Sequence, residues 1–193
     1  TVEYCSLYSN HYGIWVRVSP SYEGYVTSGP ENMIVRYNSI HDNVYYGIAI
    51  VNPRSLVMGG SFYNNLIYEN GKTGVIDASD FRIDDSSGGS NYPGCEFNIY
   101  NNTFYSTTNP ATNSVCTVGF GYFGTIANGT INFKNNIVYS GNYIAIVNKL
   151  SGLTHSNNLV YRSSSNSATH VVSNGTSYNR EGVLVWEPSA KNT

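Results

Sequence analysis

One short motif recurs along most of this 193-residue chain and limits the folds that it can adopt. Each copy has an asparagine, a hydrophobic residue two places later and an aromatic or histidine residue three places later; the first copy has cysteine in place of asparagine. Successive copies are 33, 27, 37, 34 and 22 residues apart. A fixed motif at such loose periods is typical of a solenoid, whose units bury their apolar faces by stacking. The aligned positions are Cys5, Asn38, Asn65, Asn102, Asn136 and Asn158.

Residues at fixed distances from this motif form columns that predict two strands in every repeat. The apolar column before the motif and the mostly polar column beside it alternate with a period of two, which is typical of strands with one buried face. Three places before the motif position stand Val2, Val35, Phe62, Ile99, Phe133 and His155, and two places before it stand Glu3, Arg36, Tyr63, Tyr100, Lys134 and Ser156. After the motif come the hydrophobic Leu7, Ile40, Ile67, Phe104, Val138 and Val160 and the ring column Tyr8, His41, Tyr68, Tyr105, Tyr139 and Tyr161.

Glycines further along the repeat predict the start of a third strand. They are followed by aliphatic residues, and no helical periodicity of useful length competes with this interpretation. The glycines are Gly13, Gly47 and Gly74, and the predicted inward column is Ile14, Ile48, Val75 and Ile144. In this register Asp77 takes the inward position that Val16, Ile50 and Ile146 take in other repeats.

The motif asparagines have a structural explanation. A sharp bend between two strands needs a residue that tolerates left-handed backbone geometry, and asparagine does so at lower steric cost than most residues. Asparagines stacked at roughly 4.8 Å can also hydrogen-bond to their counterparts in neighbouring repeats. We therefore predict an internal asparagine ladder that stabilises the fold and binds no ligand.

The Asn-hydrophobic-hydrophobic-aromatic-x-Asn pattern, followed by glycine and an aliphatic strand, resembles right-handed parallel β-helix proteins of the pectate-lyase-like superfamily. The resemblance covers about residues 1–162 and implies an all-β, right-handed parallel β-helix (solenoid) of about six coils. It also implies a secreted or cell-surface location. This superfamily includes polysaccharide lyases, polysaccharide hydrolases, epimerases, phage tailspikes and surface proteins of no known activity, so the resemblance does not choose an activity.

Composition limits the domain organisation and the partners. We expect residues 1–193 to form one β-helix domain that is a fragment of a longer chain, because the first residue already lies in a predicted strand. Residues 163–193 are expected to form a closing segment, with a last strand after Gly182. The charged fraction is 11% and the net charge is -2, which leaves no basic stripe for nucleic acid, and no apolar run is long enough to span a membrane.

The three cysteines have no metal-ligand spacing. Cys5 takes the place of an asparagine in the ladder, which predicts a small buried side chain at an end coil. Cys95 and Cys116 flank one repeat, and either a disulfide or two buried thiols would suit them.

The longest interval between motif copies contains an acidic segment, residues 77–94, which we predict to be a long loop insertion. Asp77, Asp80 and Asp84 could together hold Ca²⁺, which prefers carboxylate and carbonyl oxygens. Alternatively, two of the acids could serve as acid and base in glycoside hydrolysis. A third interpretation is a solvated loop whose arginine pairs internally.

Resemblance to the β-helix polysaccharide lyases implies a role for a bound cation. In those enzymes such a cation often neutralises a uronate, which acidifies the proton that a lysine or arginine base removes. The candidates for this base are Arg82, Lys72 and Lys134, in that order.

Tyr63 and Tyr100 are candidates for substrate contact. They fall in the polar column of adjacent repeats, with Arg36 on one side and Lys134 on the other. Rings with cationic neighbours on an exposed sheet would suit an acidic glycan such as a uronate polymer. The alternative is cross-strand pairing that protects the sheet surface.

Two functional hypotheses from different classes follow, with a structural spacer as a third. The first is a polysaccharide lyase or related enzyme that uses a cation held by Asp77, Asp80 and Asp84, with Arg82 or a nearby lysine. It predicts that these side chains converge beside Tyr63 and Tyr100. The second is a non-catalytic adhesion or glycan-binding module of a larger surface protein. It predicts exposed aromatic rings without a converging acid and base.

Overall fold

The computed structural model shows an all-β chain whose strands lie in three largely parallel sheets within its described residues. The chain visits sheets A, B and C in turn and then repeats the cycle, so every strand pairs with the equivalent strand of the next repeat. This arrangement is consistent with a parallel β-helix. The structure describes residues 1–17, 30–51, 58–71, 78–84, 95–107, 116–121, 130–141, 144–150, 152–163 and 168–187.

The strand bounds show how regular this cycle is. Sheet A contains β1 (Val2–Glu3), β4 (Met33–Arg36), β7 (Gly59–Tyr63), β10 (Glu96–Tyr100), β13 (Thr130–Lys134) and β16 (Leu153–Ser156). Sheet B contains β2 (Ser6–Tyr8), β5 (Ser39–His41), β8 (Leu66–Tyr68), β11 (Thr103–Ser106), β14 (Ile137–Ser140) and β17 (Leu159–Arg162). Sheet C contains β3 (Tyr12–Arg17), β6 (Tyr46–Val51), β9 (Ser79–Asp84), β12 (Cys116–Phe120), β15 (Ile144–Asn148), β18 (Val171–Ser173) and β19 (Thr176–Tyr178).

The columns predicted around the motif are confirmed in sheets A and B. Val35 pairs with Phe62 and Ile40 pairs with Ile67, and the remaining pairs follow the predicted order. The inward residues of these columns are buried between the sheets, where removing apolar side chains from water stabilises the fold. The largest fully buried rings are Phe62, Phe81, Phe97, Phe104, Phe120 and Phe133.

The predicted asparagine ladder is present and buried. The side-chain amide of Asn65 donates to Oδ1 of Asn102 at 2.9 Å, and the same contact repeats from Asn38 through Asn136. Each Oδ1 also accepts the backbone N–H of the preceding ladder asparagine, as in the 3.1 Å contact from Asn65 to Asn102. The ladder therefore satisfies polar groups that a buried bend would otherwise leave unpaired.

Left-handed geometry does not explain the ladder asparagines, contrary to our prediction. The residue with positive φ is the one immediately before each ladder position, such as Asn64 at +55° and Asn101 at +56°. The ladder asparagines are therefore required for their hydrogen bonds, and the preceding position makes the bend. Cys5 also differs from prediction: it is exposed, and its Sγ donates to the Glu3 carbonyl oxygen.

A second ladder runs along the bend between sheets B and C. Its asparagines follow the first ladder by five places, and Asn43 donates to Asn70 at 2.8 Å. Asn10 joins through its backbone N–H, which donates to Asn43 Oδ1. The two ladders end on buried carboxylates: Asn70 donates to Asp80 Oδ1 at 2.9 Å, and Asn158 donates to Glu187 Oε2 at 2.9 Å.

The third strand of the repeat differs from the predicted register. Ile14 pairs with Ile48 as expected, but Ile48 then pairs with Phe81 and not with Val75. Consequently residues 79–84 of the predicted loop insertion 77–94 form β9, a fully buried strand. Asp77 and residues 85–94 lie outside the described residues. The prediction based on Gly74 placed the start of the third strand too early, because the number of residues between the motif and this strand differs between repeats.

Further along the same sheet, Val118 pairs with Phe81 and with Ile146. Ile146 therefore stands in the column of Ile48 and not in that of Ile50. The predicted inward residue Ile144 pairs with Cys116, two residues before the pair formed by Ile146 and Val118.

The C-terminal segment closes one end of the stack by a different route from the one predicted. β18 continues sheet C, and β19 folds back on it in antiparallel fashion. Val183–Trp186 forms one helical turn, α1, where a last strand was expected. The Trp186 ring stacks on His155 with centroids 4.0 Å apart, so the indole covers His155, the last inward residue of sheet A.

The structure distinguishes between the two predicted states of the cysteine pair. Cys95 and Cys116 are buried thiols that are not joined in a disulfide, the second of the two states considered above. Burial raises the pKa of the Cys116 thiol to about 12, which keeps it protonated at neutral pH.

Among the described residues there is no helix long and apolar enough to cross a membrane.

Candidate functional site

The outer face of sheet A carries the column predicted from the sequence. Arg36, Tyr63, Tyr100 and Lys134 pair in that order on four neighbouring strands. The Tyr63 and Tyr100 rings stack with centroids 4.8 Å apart and planes 5° from parallel. Because Tyr63 covers one face of Tyr100, the opposite face lies towards Lys134.

Arg36 at the other end of this column is already engaged. Its Nε donates to Glu3 at 2.6 Å, and its Nη1 donates to the Tyr63 hydroxyl at 2.9 Å. The guanidinium also lies 5.9 Å from the centroid of the Tyr63 ring. Arg36 therefore holds the Tyr63 ring in place, with its own charge balanced by Glu3.

An open depression of about 410 Å³ adjoins Tyr100. Burial of Tyr100 raises the pKa of its hydroxyl, which therefore stays a neutral donor at physiological pH. Asn132 donates to Asn98 at 2.8 Å, which orients two neighbouring amides on the floor. The lining residues are Ser61, Asn98, Tyr100, Asn132, Lys134 and Asn135.

A second depression of about 440 Å³ continues the first along the same sheet. The two share Ser61 and Asn98, so they form one shallow groove across the outer face. Two glycines and two glutamates are among the residues that line this second depression. The further lining residues are Glu31, Asn32, Met33, Ile34, Met58, Gly59, Gly60 and Glu96.

The sequence analysis missed the amides of this groove. Ser61, Asn98 and Asn132 stand four places before three successive ladder asparagines, and β7, β10 and β13 align them across the sheet. That column is polar in the sequence and would have identified them.

Arg82 and Asp84 lie elsewhere, on β9 of sheet C. They form an ion pair whose side chains are almost fully buried, at 4% and 3% exposure. The Arg82 guanidinium also lies 5.5 Å from the centroid of the Tyr46 ring. An arginine held between a carboxylate and a ring is an internal contact of the sheet.

Asp80 ends the second asparagine ladder. Its Oδ1 accepts from the backbone N–H and the side-chain amide of Asn70, at 3.0 and 2.9 Å. Its Oδ2 is buried without a hydrogen-bond partner among the described residues. Desolvation raises the pKa of this carboxyl well above its usual value, against the lowering effect of the Asn70 hydrogen bonds.

Replacing Asp80 with asparagine is expected to raise the melting temperature at pH 8 by about 2–4 °C, or about 1 kcal/mol. The folded state binds a proton that the unfolded carboxyl releases above about pH 4. Stability is therefore complete below that pH and declines as the pH rises through the raised folded pKa. The asparagine variant binds no such proton, so this decline should be absent from its pH profile between about pH 4 and 8. Thermal melts across this range, with the exposed Glu96→Gln as control, measure the difference; parallel curves for Asp80→Asn and wild type would contradict it.

The structure brings together only part of the predicted site. Tyr63, Tyr100, Arg36 and Lys134 share the face of sheet A, whereas Asp80, Arg82 and Asp84 lie on sheet C and do not converge beside the tyrosines. Asp77 and Lys72 lie outside the described residues. Among the residues that are described, no group of three or more His, Cys, Asp or Glu side chains is placed to hold a metal ion.

Comparison of the chain with protein-family models, with curated proteins and with solved structures finds no match.

Proposed function

We propose that this chain is a non-catalytic glycan-binding module whose site is the groove on the outer face of sheet A. The observation that carries this proposal is the position of Tyr100, which ends an aromatic stack and lines a depression together with amides and an ammonium group. A flat ring packs against the apolar face of a sugar while neighbouring polar groups bind its hydroxyls. Asn98, Asn132 and Ser61 supply those polar groups.

We infer that the bound glycan contains uronate residues. Lys134 is exposed and has no ion-pair partner among the described residues, so its ammonium is available to a carboxylate on a sugar stacked over Tyr100. The charge of Arg36 is already balanced by Glu3. Lys134 is therefore the cation assigned to recognition, and Tyr63 and Arg36 support the stack.

The architecture is proposed to be a right-handed β-helix of about six coils, related to the pectate-lyase-like superfamily. Parallel crossovers are right-handed in about 98% of cases, which supports that hand. The six copies of the motif support the number of coils. A secreted or cell-surface location accords with this relationship and with a polysaccharide partner.

A cation-dependent lyase is the second candidate, and it has its own test. It would need Asp77, Asp80 and Asp84 to bind Ca²⁺, with Arg82, Lys72 or Lys134 as base. The described residues favour it less, because Asp84 is paired with Arg82 and Asp80 ends a ladder. A Ca²⁺-dependent rise in melting temperature that Asp84→Ala abolishes, together with unsaturated products from oligogalacturonate, would support the lyase over the binding module. New reducing ends without that unsaturation would instead support a glycoside hydrolase.

Tyr100→Ala is expected to weaken the binding of a galacturonate disaccharide about fivefold to tenfold, because it removes the ring on which the sugar stacks. Isothermal titration calorimetry measures the affinity. Tyr139→Ala is the matched control: this ring stacks between Tyr105 and Tyr161 on sheet B, away from the groove. It should leave the affinity unchanged.

The methyl ester of the same disaccharide tests the charge. Wild type should prefer the free acid to the ester, and Lys134→Met should abolish that preference while retaining the binding of the ester. Equal losses in Tyr100→Ala and Tyr139→Ala, or an unaltered preference in Lys134→Met, would exclude the groove as the site.

A further inference from the structure

Tyr4 and Tyr37 occupy a backbone position that disfavours tyrosine. Both have positive φ, +55° and +56°, at the bend between sheets A and B. The equivalent position in the other described repeats is asparagine, at Asn64, Asn101, Asn135 and Asn157, with φ of +55° to +56°. Asparagine visits left-handed geometry readily, whereas for a bulky side chain this conformation is an outlier. The two tyrosines therefore carry a backbone cost that the chain avoids in four other repeats.

The strained tyrosines are also unusually exposed. Tyr4 is 74% exposed and Tyr37 is 44% exposed, so little burial offsets the backbone cost. Their rings stack with centroids 5.2 Å apart and planes 8° from parallel. Strained backbone that persists at an exposed position points to function more often than to packing.

These two rings continue the aromatic stack of the proposed site. The Tyr37 ring meets Tyr63 edge to face at 6.1 Å, and Tyr63 stacks on Tyr100 at 4.8 Å. The Arg36 guanidinium lies 5.8 Å from the Tyr37 centroid and 5.9 Å from the Tyr63 centroid, so it joins the two pairs. The result is a continuous track of four rings that crosses successive repeats, and because the paired rings cover one another's faces, the track presents ring edges along its length.

We propose that Tyr4 and Tyr37 form a further subsite for the same glycan, which extends along the direction in which the repeats stack. This inference rests on the proposed function, because it assigns a second part of that binding surface. A long uronate chain would pack along the ring edges from Tyr100 towards Tyr4, because these edges carry the positive part of the ring quadrupole and suit the oxygens of an acidic sugar. A disaccharide would occupy only the Tyr100 end. Affinity should therefore rise with chain length, and the rise should depend on Tyr37.

Tyr37→Asn tests this subsite with the residue that the chain itself uses at four equivalent bends. It relieves the left-handed tyrosine while removing one stacking partner, so we expect a melting temperature equal to or slightly above that of wild type. Binding of a galacturonate hexasaccharide should weaken about threefold to tenfold, and binding of the disaccharide should not change. Tyr8→Ala is the control, since Tyr8 is an exposed ring that stacks on His41 of sheet B at 5.2 Å. It should affect neither ligand.

The outcomes separate this inference from the proposed function. If Tyr100→Ala weakens the disaccharide but Tyr37→Asn leaves the hexasaccharide affinity unaltered, the extended subsite is wrong and the groove stands. If Tyr37→Asn weakens both ligands equally, the ring acts through Tyr63 and forms no separate subsite. A wild-type chain that binds neither oligosaccharide overturns both proposals.

Discussion

Replacing Asn102 with leucine is expected to lower the free energy of unfolding by about 4 kcal/mol. Asn102 accepts from the backbone N–H and the side-chain amide of Asn65, and it donates to the Phe62 carbonyl oxygen at 2.8 Å. It also donates to Asn136 Oδ1. Leucine has the same branched arrangement of side-chain heavy atoms but can make none of these contacts, so buried groups on the two neighbouring repeats would lose their partners. Each such group costs about 1–3 kcal/mol.

Urea denaturation followed by circular dichroism measures this loss. Asn98→Ala provides the control, because Asn98 lies on the outer face of the same repeat, where water can replace its hydrogen bond to Asn132. It should cost less than about 1 kcal/mol. Similar losses in both variants would mean that the ladder contributes no more than an ordinary surface amide.

Asp84→Ala is expected to lower the free energy of unfolding by about 3–5 kcal/mol. The substitution leaves the Arg82 guanidinium buried in β9 without the carboxylate that balances it. The Tyr46 ring, 5.5 Å from that guanidinium, compensates only in part. Because the cost comes from breaking one half of a buried ion pair, removing both charges should be far less harmful than removing one.

The double variant Arg82→Met, Asp84→Leu tests that reason. We expect it to lie within about 1 kcal/mol of wild type, since a buried ion pair and apolar side chains of similar volume are often equivalent. Chemical denaturation of the two single variants and the double variant completes the cycle. Additive losses in the double variant would show that each side chain contributes independently and that their mutual attraction is minor.

Sheets A and B were predictable because every repeat has the same length across their shared bend. The spacing from Phe62 through Asn65 to Ile67 recurs unchanged in each copy, so one alignment places both strands and the ladder between them. The same alignment predicts that Tyr63 and Tyr100 are neighbours, and the structure confirms this pairing. Residue types that recur at a fixed spacing are therefore sufficient to predict the strands and their register in these two sheets.

The candidate site was only partly predictable, for a different reason. Lys134 and Tyr100 belong to fixed columns, and the structure places them side by side. Asp80 and Arg82 follow a connection of variable length, where the sequence does not reveal which residue enters the next strand. The cluster of acids therefore suggested an exposed loop, whereas β9 buries them.

The sequence by itself determined the solenoid cycle, the asparagine ladder and the tyrosine column, because each depends on contacts between identical positions of neighbouring repeats. Only the tertiary structure decided the register of sheet C and the burial of the acidic residues in β9. It also revealed that the ladders end on Asp80 and Glu187, which approach Asn70 and Asn158 from outside the repeating motif. Such contacts depend on which residue comes next to the ladder after a connection of unequal length. A periodic sequence pattern does not predict that residue.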